Sequence, residues 1–459
     1  MTQRITTHWE CQPEAEQLVH GWWREALDAA PPLGQVETAA RRLADCRLVD
    51  LVDHLVVAEG GEVRAQLAAV GFVATEDAVS EGDTPFRHLA SVLPPILLRS
   101  GNAAAGRVLG VGLKVDSAAD LLAVWGVDAP IAGSPLSPLR TARVWSGQGW
   151  AVDAVERRGW TGFVPVEQQP SQSEAVLAAS ERWAVRPRHG ADVAGAMAAT
   201  LDLARWLVDE LGQDRAAWAA FAVERAHWAR HNRAARVQKE RQDLVGFGWA
   251  NHDHHTFRSS REHFPVLIEI LETLGFVPRE RFYAGAEAGW GAQVMQQPAC
   301  DLAVFADVDL SPDEVEGDFA HRGLPPRPRL GTIGLWCALH GESMLGAGLH
   351  HLAARLAFDD AVAGLGRAGV ATMPPFSSFP YLRQAFTEGE RWPVAGERLE
   401  RLRTGGTVDE AAIARFADQG AIGSHLENIE RNQGFGGFNQ ERISDIIRRT
   451  DPRLSTARG

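Results

Sequence analysis

The sequence predicts an α+β fold with two β-rich halves, a helical segment ahead of the first and a helical insert between them. Three observations carry this. A unit made of a short apolar strand, a helix and a closing glycine occurs four times along the chain, and a repeat constrains architecture more than any local propensity does. Between the second and third copies, residues 170–245 are rich in Ala, Glu, Arg and Trp and read as helix. The 459 residues, 45% of them hydrophobic and 23% charged, have a globular composition, with length for about two to four domains of ~100–200 residues each.

Each element follows in order. Residues 1–45 mix Glu, Gln, Ala and Leu and read as helical, interrupted at Pro31-Pro32. Leu51-Val-Asp-His-Leu-Val-Val57 is a short β-branched run; after it, Val63, Leu67 and Val70 have helical spacing and Gly71 is a natural stop. The second copy is Arg107-Val-Leu-Gly-Val-Gly-Leu-Lys-Val115, followed by a helix to Gly126 with Asp116 or Ser117 as N-cap. The third opens with Asn251-His-Asp-His-His-Thr-Phe-Arg258, and Ser259 or Ser260 with Glu262 has the pattern of a capping box before a helix ending at Gly275. The fourth is Leu349-His-His-Leu-Ala-Ala-Arg-Leu356 with a helix ending at Gly369. Residues 395–417 form a further charged, helical stretch. The expected division is a helical segment over 1–47, a first β-rich domain over 48–168, a helical insert over 169–246 and a second β-rich domain over 247–459.

Composition excludes several classes of partner. A formal charge of −13 gives no overall attraction to nucleic acid or to an anionic membrane. No run approaches the ~20 apolar residues that span a bilayer. The opening Met1-Thr-Gln-Arg-Ile-Thr-Thr-His8 lacks the basic-then-apolar pattern of a signal peptide, so a cytoplasmic location is expected. Cys11, Cys46, Cys300 and Cys337 form no C-x-x-C, which points away from a disulfide framework or a thiolate zinc site. The 15 Trp residues against 2 Tyr read as core filling.

Histidine carries the chemical information. His252, His254 and His255 fall within four positions, and His350 and His351 form a second pair. Alternate residues of a strand share a face, so His252, His254, Thr256 and Arg258 are expected on one side and His255 on the other; Leu349, His351, Ala353 and Arg355 likewise share a side. Two repeats can thus each offer an imidazole to one point, and a carboxylate from a third strand would complete a two-histidine, one-carboxylate set. Such a set suits Fe(II) and leaves positions open for a chelating substrate and dioxygen. A single buried histidine is more often a hydrogen-bonded core residue. On that ground His54, beside Asp53, reads as structural, and His321, His340 and His425 as isolated surface or core residues. Arg258 is either a fork for a substrate carboxylate or the ion-pair partner of a neighbouring acid.

These residues carry a resemblance to the two-domain vicinal oxygen chelate dioxygenases, the group of 4-hydroxyphenylpyruvate dioxygenase and hydroxymandelate synthase. Val52-Asp-His-Leu-Val-Val, Leu109-Gly-Val-Gly-Leu-Lys-Val and Val155-Glu-Arg-Arg-Gly-Trp-Thr-Gly-Phe163 resemble that family's metal-free domain, with Trp160 in place of a Tyr. Asp253-His254 resembles the pair that opens its metal domain. Gly346-Ala-Gly-Leu-His-His-Leu-Ala-Ala and the following Asp359–Val370 stretch resemble the strand and helix bearing its second metal histidine. Leu426-Glu-Asn-Ile-Glu-Arg-Asn-Gln-Gly-Phe-Gly-Gly-Phe-Asn439 resembles the strand and turn bearing its glutamate. The resemblance, over roughly 48–166 and 250–447, implies tandem βαβββ modules and an Fe(II) cofactor held by His254, His351 and Glu427. The intervals agree with module lengths: 97 residues from His254 to His351 and 76 from His351 to Glu427. Arg258, on the ligand face, is the catalytic candidate for holding a distal substrate carboxylate or the oxo-acid end, and His255, on the opposite face of the strand, would support the site or be structural.

Three departures belong with it. The family's Q-x-F-T-K/R-P hairpin has no counterpart directly before Glu427, where only Gly420-Ala-Ile-Gly-Ser-His-Leu stands, which argues against an aromatic 4-hydroxyphenylpyruvate substrate. Glu430 is the nearby substitute for Glu427. The helical insert is larger than the family's interdomain connection. The chain is also similar to the 2-oxoadipate dioxygenase/decarboxylases: His254 with Arg258 fits their H-x-x-x-R, and Asp53-His54 with Val155-Glu156-Arg-Arg-Gly fits their other histidine and glutamate. That reading would use His54, Glu156 and His254 and leave His351 without a role. The expected activity is a mononuclear non-haem Fe(II) dioxygenase that decarboxylates a 2-oxo acid oxidatively and couples this to hydroxylation. Its partners would be a small-molecule substrate and O2, without nucleic acid or membrane, and a homo-oligomer stays open. A metal-free binding protein and a Zn, Ni or Mn isomerase or lyase of the same fold are the other readings.

Overall fold

The computed structural model describes residues 9–327, 329–439 and 450–453. Residues 1–8, with the opening of the expected helical segment, and residues 440–447 of the stretch carrying the resemblance lie outside them.

The chain opens with α1 (Pro13–Ala29) and α2 (Pro31–Ala44). Pro31 starts the second helix rather than merely interrupting the first, as a proline at the first helical position has no amide hydrogen to lose. Two modules follow. The first is β1 (Val52–Ala58), α3 (Gly61–Ala69), β2 (Val73–Ala74), β3 (Asp83–Arg87) and β4 (Ile96–Arg99). The second is β5 (Val108–Lys114), α4 (Ala118–Trp125), β6 (Ile131–Ala132), β7 (Leu139–Gly147) and β8 (Trp150–Arg157). They make one sheet ordered β2-β3-β4-β1-β5-β8-β7-β6. Ser117 caps α4, accepting from the Asp120 amide at 3.2 Å.

Four helices come next: α5 (Pro170–Ala184), α6 (Val193–Leu211), α7 (Gln213–Arg230) and α8 (Arg233–Asp243). The third module is β9 (His252–Arg258), α9 (Phe264–Thr273), β10 (Val277–Tyr283), β11 (Trp290–Gln297) and β12 (Leu302–Asp309). α10 (Pro312–Val315) and α11 (Thr332–His340) lead to the fourth: β13 (His351–Arg355), α12 (Phe358–Arg367), β14 (Ser377–Phe379), β15 (Leu382–Phe386), β16 (Glu390–Trp392), α13 (Gly396–Thr404), α14 (Glu410–Gln419) and β17 (Ala421–Arg431). The second sheet runs β10-β11-β12-β9-β13-β17-β15-β14, with β16 pairing β17. In each sheet the opening strands of two βαβββ modules lie antiparallel at the centre, and each is flanked by the closing strand of its own module, in parallel. This is the tandem vicinal oxygen chelate arrangement, an α+β fold.

The expected capping box before α9 does not form. The helix starts at Phe264 with His263 in the cap position. The Ser260 amide and the Ser259 hydroxyl are instead bound to Glu342, at 3.0 and 2.9 Å. One hydrophobic core runs from α1 and α2 through the first sheet and the helical insert to the outer side of the second sheet. A separate aromatic cluster of Phe282, Trp290, Phe305, Trp336 and Phe438 fills the inside of the second sheet. The tryptophans are mainly core, with Trp183, Trp228 and Trp336 among the largest fully buried side chains. No helix of the described residues is long and apolar enough to cross a membrane.

Candidate metal centre

The site begins with a bulge. Ala353 of β13 faces His254 of β9, but Ala354 faces His252, so Asp253 is the extra residue. This overturns the expected alternation: His252 turns to the side of His255, their rings 5.5 Å apart, while His254 faces inward. The bulged Asp253 is paired twice to Arg431, at 2.7 and 3.0 Å, and to Arg355 at 2.8 Å. It also lies 3.0 Å from His254 Nδ1. A carboxylate on Nδ1 fixes the ring and leaves Nε2 free to face the chamber.

The neighbouring strands supply the rest. β13 places His351 opposite Thr256, and the parallel β17 places Glu427 beside Ala353. His254 Nε2 lies 3.2 Å and His351 Nε2 3.1 Å from the same oxygen, Glu427 Oε2. One donor atom from each of the three residues lies within 4.8 Å of the others, and among the described residues they are the one group of His, Cys, Asp or Glu so placed. Bonds of about 2.1 Å meeting at right angles put donor atoms about 3.0 Å apart, and the two edges that Glu427 makes with His254 and His351 match that spacing for a divalent ion.

The electrostatics agree with that use. Burial works against charge on His254, yet the Glu427 and Asp253 carboxylates raise it to about 9. Burial dominates at His351 and pushes it down to about 4, so it offers a neutral lone pair. Glu427 resists the upward push of burial and is held at about 2 by the two imidazoles. Gln384 donates to its other oxygen at 2.8 Å and is itself held by Ser377. The walls are dry: Phe305 and Phe438 each lie 5.0 Å from the His254 ring and Phe386 5.0 Å from that of His351.

Arg258 lies on the inner face, four residues or ~13 Å of strand beyond His254. Its guanidinium sits 5.4 Å over the Trp336 ring, and Nε has no partner. Burial lowers it to about 10. Asp307, beside it in register on β12, was not singled out in the sequence; burial lifts it to about 8, and its Oδ1 is also unpartnered. Two carboxylates spaced two apart in the apolar run Leu302-Ala-Val-Phe-Ala-Asp-Val-Asp309 were the available signal.

Several expectations are corrected. His255 does not join the site: its ring packs against Phe221 of α7 at 5.4 Å and its Nε2 lies 3.4 Å from Arg225 Nη1, behind the sheet. Glu430 cannot stand in for Glu427, because it caps α12 through the Phe358 amide at 2.7 Å. The set His54, Glu156 and His254 does not assemble. Glu156 accepts from the Ala118 amide at 3.0 Å and from Arg140 at 3.2 Å, and is paired to Arg158. Gln384-Ala-Phe-Thr387 matches the first four positions of Q-x-F-T-K/R-P, with Glu388-Gly389 in place of the last two; it does not directly precede Glu427, since α13 and α14 separate them, but β15 pairs with β17.

The first sheet shows why its half lacks such a centre. There Asp53 is bulged in the same way, bound to Arg157 at 2.6 and 2.8 Å and to His54 Nδ1 at 2.6 Å. The register makes Gly110 the counterpart of His351 and Asp153 that of Glu427. A Cβ on Gly110 would lie 2.9 Å from the Ala151 carbonyl oxygen, and the His54 ring already fills the space over Gly112.

No protein-family model matches the sequence, and no curated protein matches it. Among solved structures it is similar to a mutant of 4-hydroxymandelate synthase from Streptomyces coelicolor, at 12% identity and a TM-score of 0.28, over 87% of this chain and 97% of that one. It is similar to methylmalonyl-CoA epimerase from Mycobacterium tuberculosis at 14% identity and a TM-score of 0.24, over 40% and 89%. The 2,3-dioxygenase LapB from Pseudomonas sp. KL28 aligns at 12% identity and a TM-score of 0.19, over 83% and 91%. The strand order and pairing of the chain itself establish tandem vicinal oxygen chelate modules, with a His-His-Glu cluster able to hold a metal in the C-terminal half.

Proposed function

We propose that this protein is a mononuclear Fe(II) dioxygenase acting on a 2-oxo acid, with His254, His351 and Glu427 as the metal ligands. The observation that carries the reading is the convergence of both imidazoles on one Glu427 oxygen at 3.1 and 3.2 Å inside an aromatic chamber. The bound ion would supply Lewis acidity and a template on which a 2-oxo acid and dioxygen meet.

The chain's own residues do the rest. Asp253 holds His254 by Nδ1 so that Nε2 faces the chamber. Gln384 fixes one oxygen of Glu427 and leaves the other to the cluster. Phe305, Phe386 and Phe438 exclude water around the imidazoles, which strengthens every charge interaction there. Arg258 presents a buried guanidinium with a free Nε on the ligand face, suited to a substrate carboxylate, and Asp307 beside it can accept from a substrate hydroxyl or carry a proton near neutral pH.

Anaerobic Fe(II) titration of the metal-stripped chain tests the ligand set. One ion per chain is expected for wild type and none for His351→Ala; equal stoichiometry removes His351. Oxygen uptake with a series of 2-oxo acids tests the reaction, and metal binding with no uptake favours an isomerase or lyase.

A further inference from the structure

A cavity of about 360 Å³ lies between the two sheets, against α7, and is distinct from the aromatic chamber: none of His254, His351 and Glu427 lines it. Its wall is charged, and almost every cation in it is matched. Arg157 is held by Asp53, Arg355 and Arg431 by Asp253, Lys114 by Asp301 and Arg47 by Asp50. Arg87 and Arg279 are likewise bound to Asp77 and Glu280.

Arg225 is the exception. It is 8% exposed and lines the cavity, yet no carboxylate among the described residues lies within 4.0 Å of it. Among the described residues its one side-chain hydrogen bond is the long contact to His255 Nε2 at 3.4 Å. His252, also in the wall, has a buried Nε2 with no partner. Asp116 in the same wall acts on Arg225 only from beyond ion-pair distance; a buried guanidinium without a paired carboxylate is costly, and the cost is relieved when an anion enters. Apolar side chains, among them Trp218, Val115 and Leu302, line the same cavity.

We propose that this cavity is a second binding site, for a small organic monocarboxylate, whose carboxylate is taken by Arg225 and whose body rests on Trp218, Val115 and Leu302. Arg225 is the wall cation without a paired carboxylate, and Asp116 and Glu16 in the same wall oppose a second negative charge, so a monoanion is favoured over a dianion such as phosphate. The volume is within the range of small-molecule pockets. The site is independent of the metal reading, because it shares no ligand with it.

Benzoate and its neutral isostere benzamide test this by calorimetric titration of the metal-stripped full chain. Benzoate is expected to bind saturably, one per chain, at least tenfold tighter than benzamide, in wild type and in His351→Ala alike. Arg225→Gln should lose at least tenfold in benzoate affinity, and benzoate should raise the melting temperature of wild type but not of the variant. No saturable binding, equal binding of benzamide, equal binding by Arg225→Gln, or loss of binding in His351→Ala would each overturn the proposal. Should Arg225→Gln fail to fold, the benzoate-to-benzamide ratio in wild type and His351→Ala still decides.

Discussion

Gln384 donates its side-chain amide to Glu427 at 2.8 Å across 43 residues of chain. The two strands are adjacent in the sheet, although α13 and α14 fill the sequence between them. Removing that donor frees the carboxylate to rotate. Gln384→Leu is expected to weaken metal binding by about 10–100-fold with the fold retained. Competitive titration against a chelator reads this, and an unchanged affinity would show that Glu427 is held by its strand alone.

The bulged aspartates make a paired comparison. Asp53 and Asp253 each hold an arginine by two bonds and a histidine by Nδ1. Asp253→Asn should destabilise by about 3–5 kcal/mol, since it strands the buried Arg431; Asp53→Asn should cost less, since Arg157 is only partly buried. Only Asp253→Asn should also lower metal affinity. Equal metal affinity in the two variants would detach Asp253 from the centre.

Metal binding should depend on pH through His254. Its folded value, about 9, exceeds the ordinary 6.5 because Glu427 and Asp253 outweigh burial. The stability this gives the metal-free chain is full below 6.5 and is lost as pH rises through about 9. A cation must displace that proton, so affinity should rise by about tenfold per unit towards pH 9 and then level. Melting curves and metal titrations from pH 6 to 10 check both slopes; a flat metal affinity would contradict the proton displacement.

Acid should act elsewhere. Glu224 of α7 is buried between Arg186 and Arg188, which also bind the Met344 and Leu345 carbonyls. Burial raises this carboxyl, yet the two guanidiniums hold it at about 2, against an ordinary 4.5. Its contribution is present above 4.5 and is lost as pH falls towards 2. Glu224→Gln is expected to cost about 3–5 kcal/mol at neutral pH and to flatten the stability loss between pH 4.5 and 2 seen by urea unfolding. A variant as stable as wild type would refute the clamp.

Much of the fold is legible because the repeats are written locally. Each of the four units keeps its strand, its helix and a glycine close together, so composition and spacing suffice. The bulge at Asp253 is not legible from alternation, since one extra residue reverses every preceding side chain; that is why His252 was expected beside His254. Gln384 escapes because adjacency in a sheet is not adjacency in sequence, and a helical insertion hides the hairpin. His255 looked like site chemistry because histidine type says nothing about which face meets α7. Asp307 stood in plain view but needed Arg258 in register beside it to acquire meaning.

α11 serves two interiors at once. Ile333, Trp336 and Cys337 belong to the aromatic cluster, while Leu335 and Leu339 pack with Leu399, Leu402, Ile413 and Phe416 of α13 and α14. The insertion that splits the hairpin therefore also braces the ceiling of the chamber from outside. Surface edits to that brace, far from any ligand, would tilt the Trp336 face and resize the room beneath it, shifting selectivity without a single change to the chamber lining.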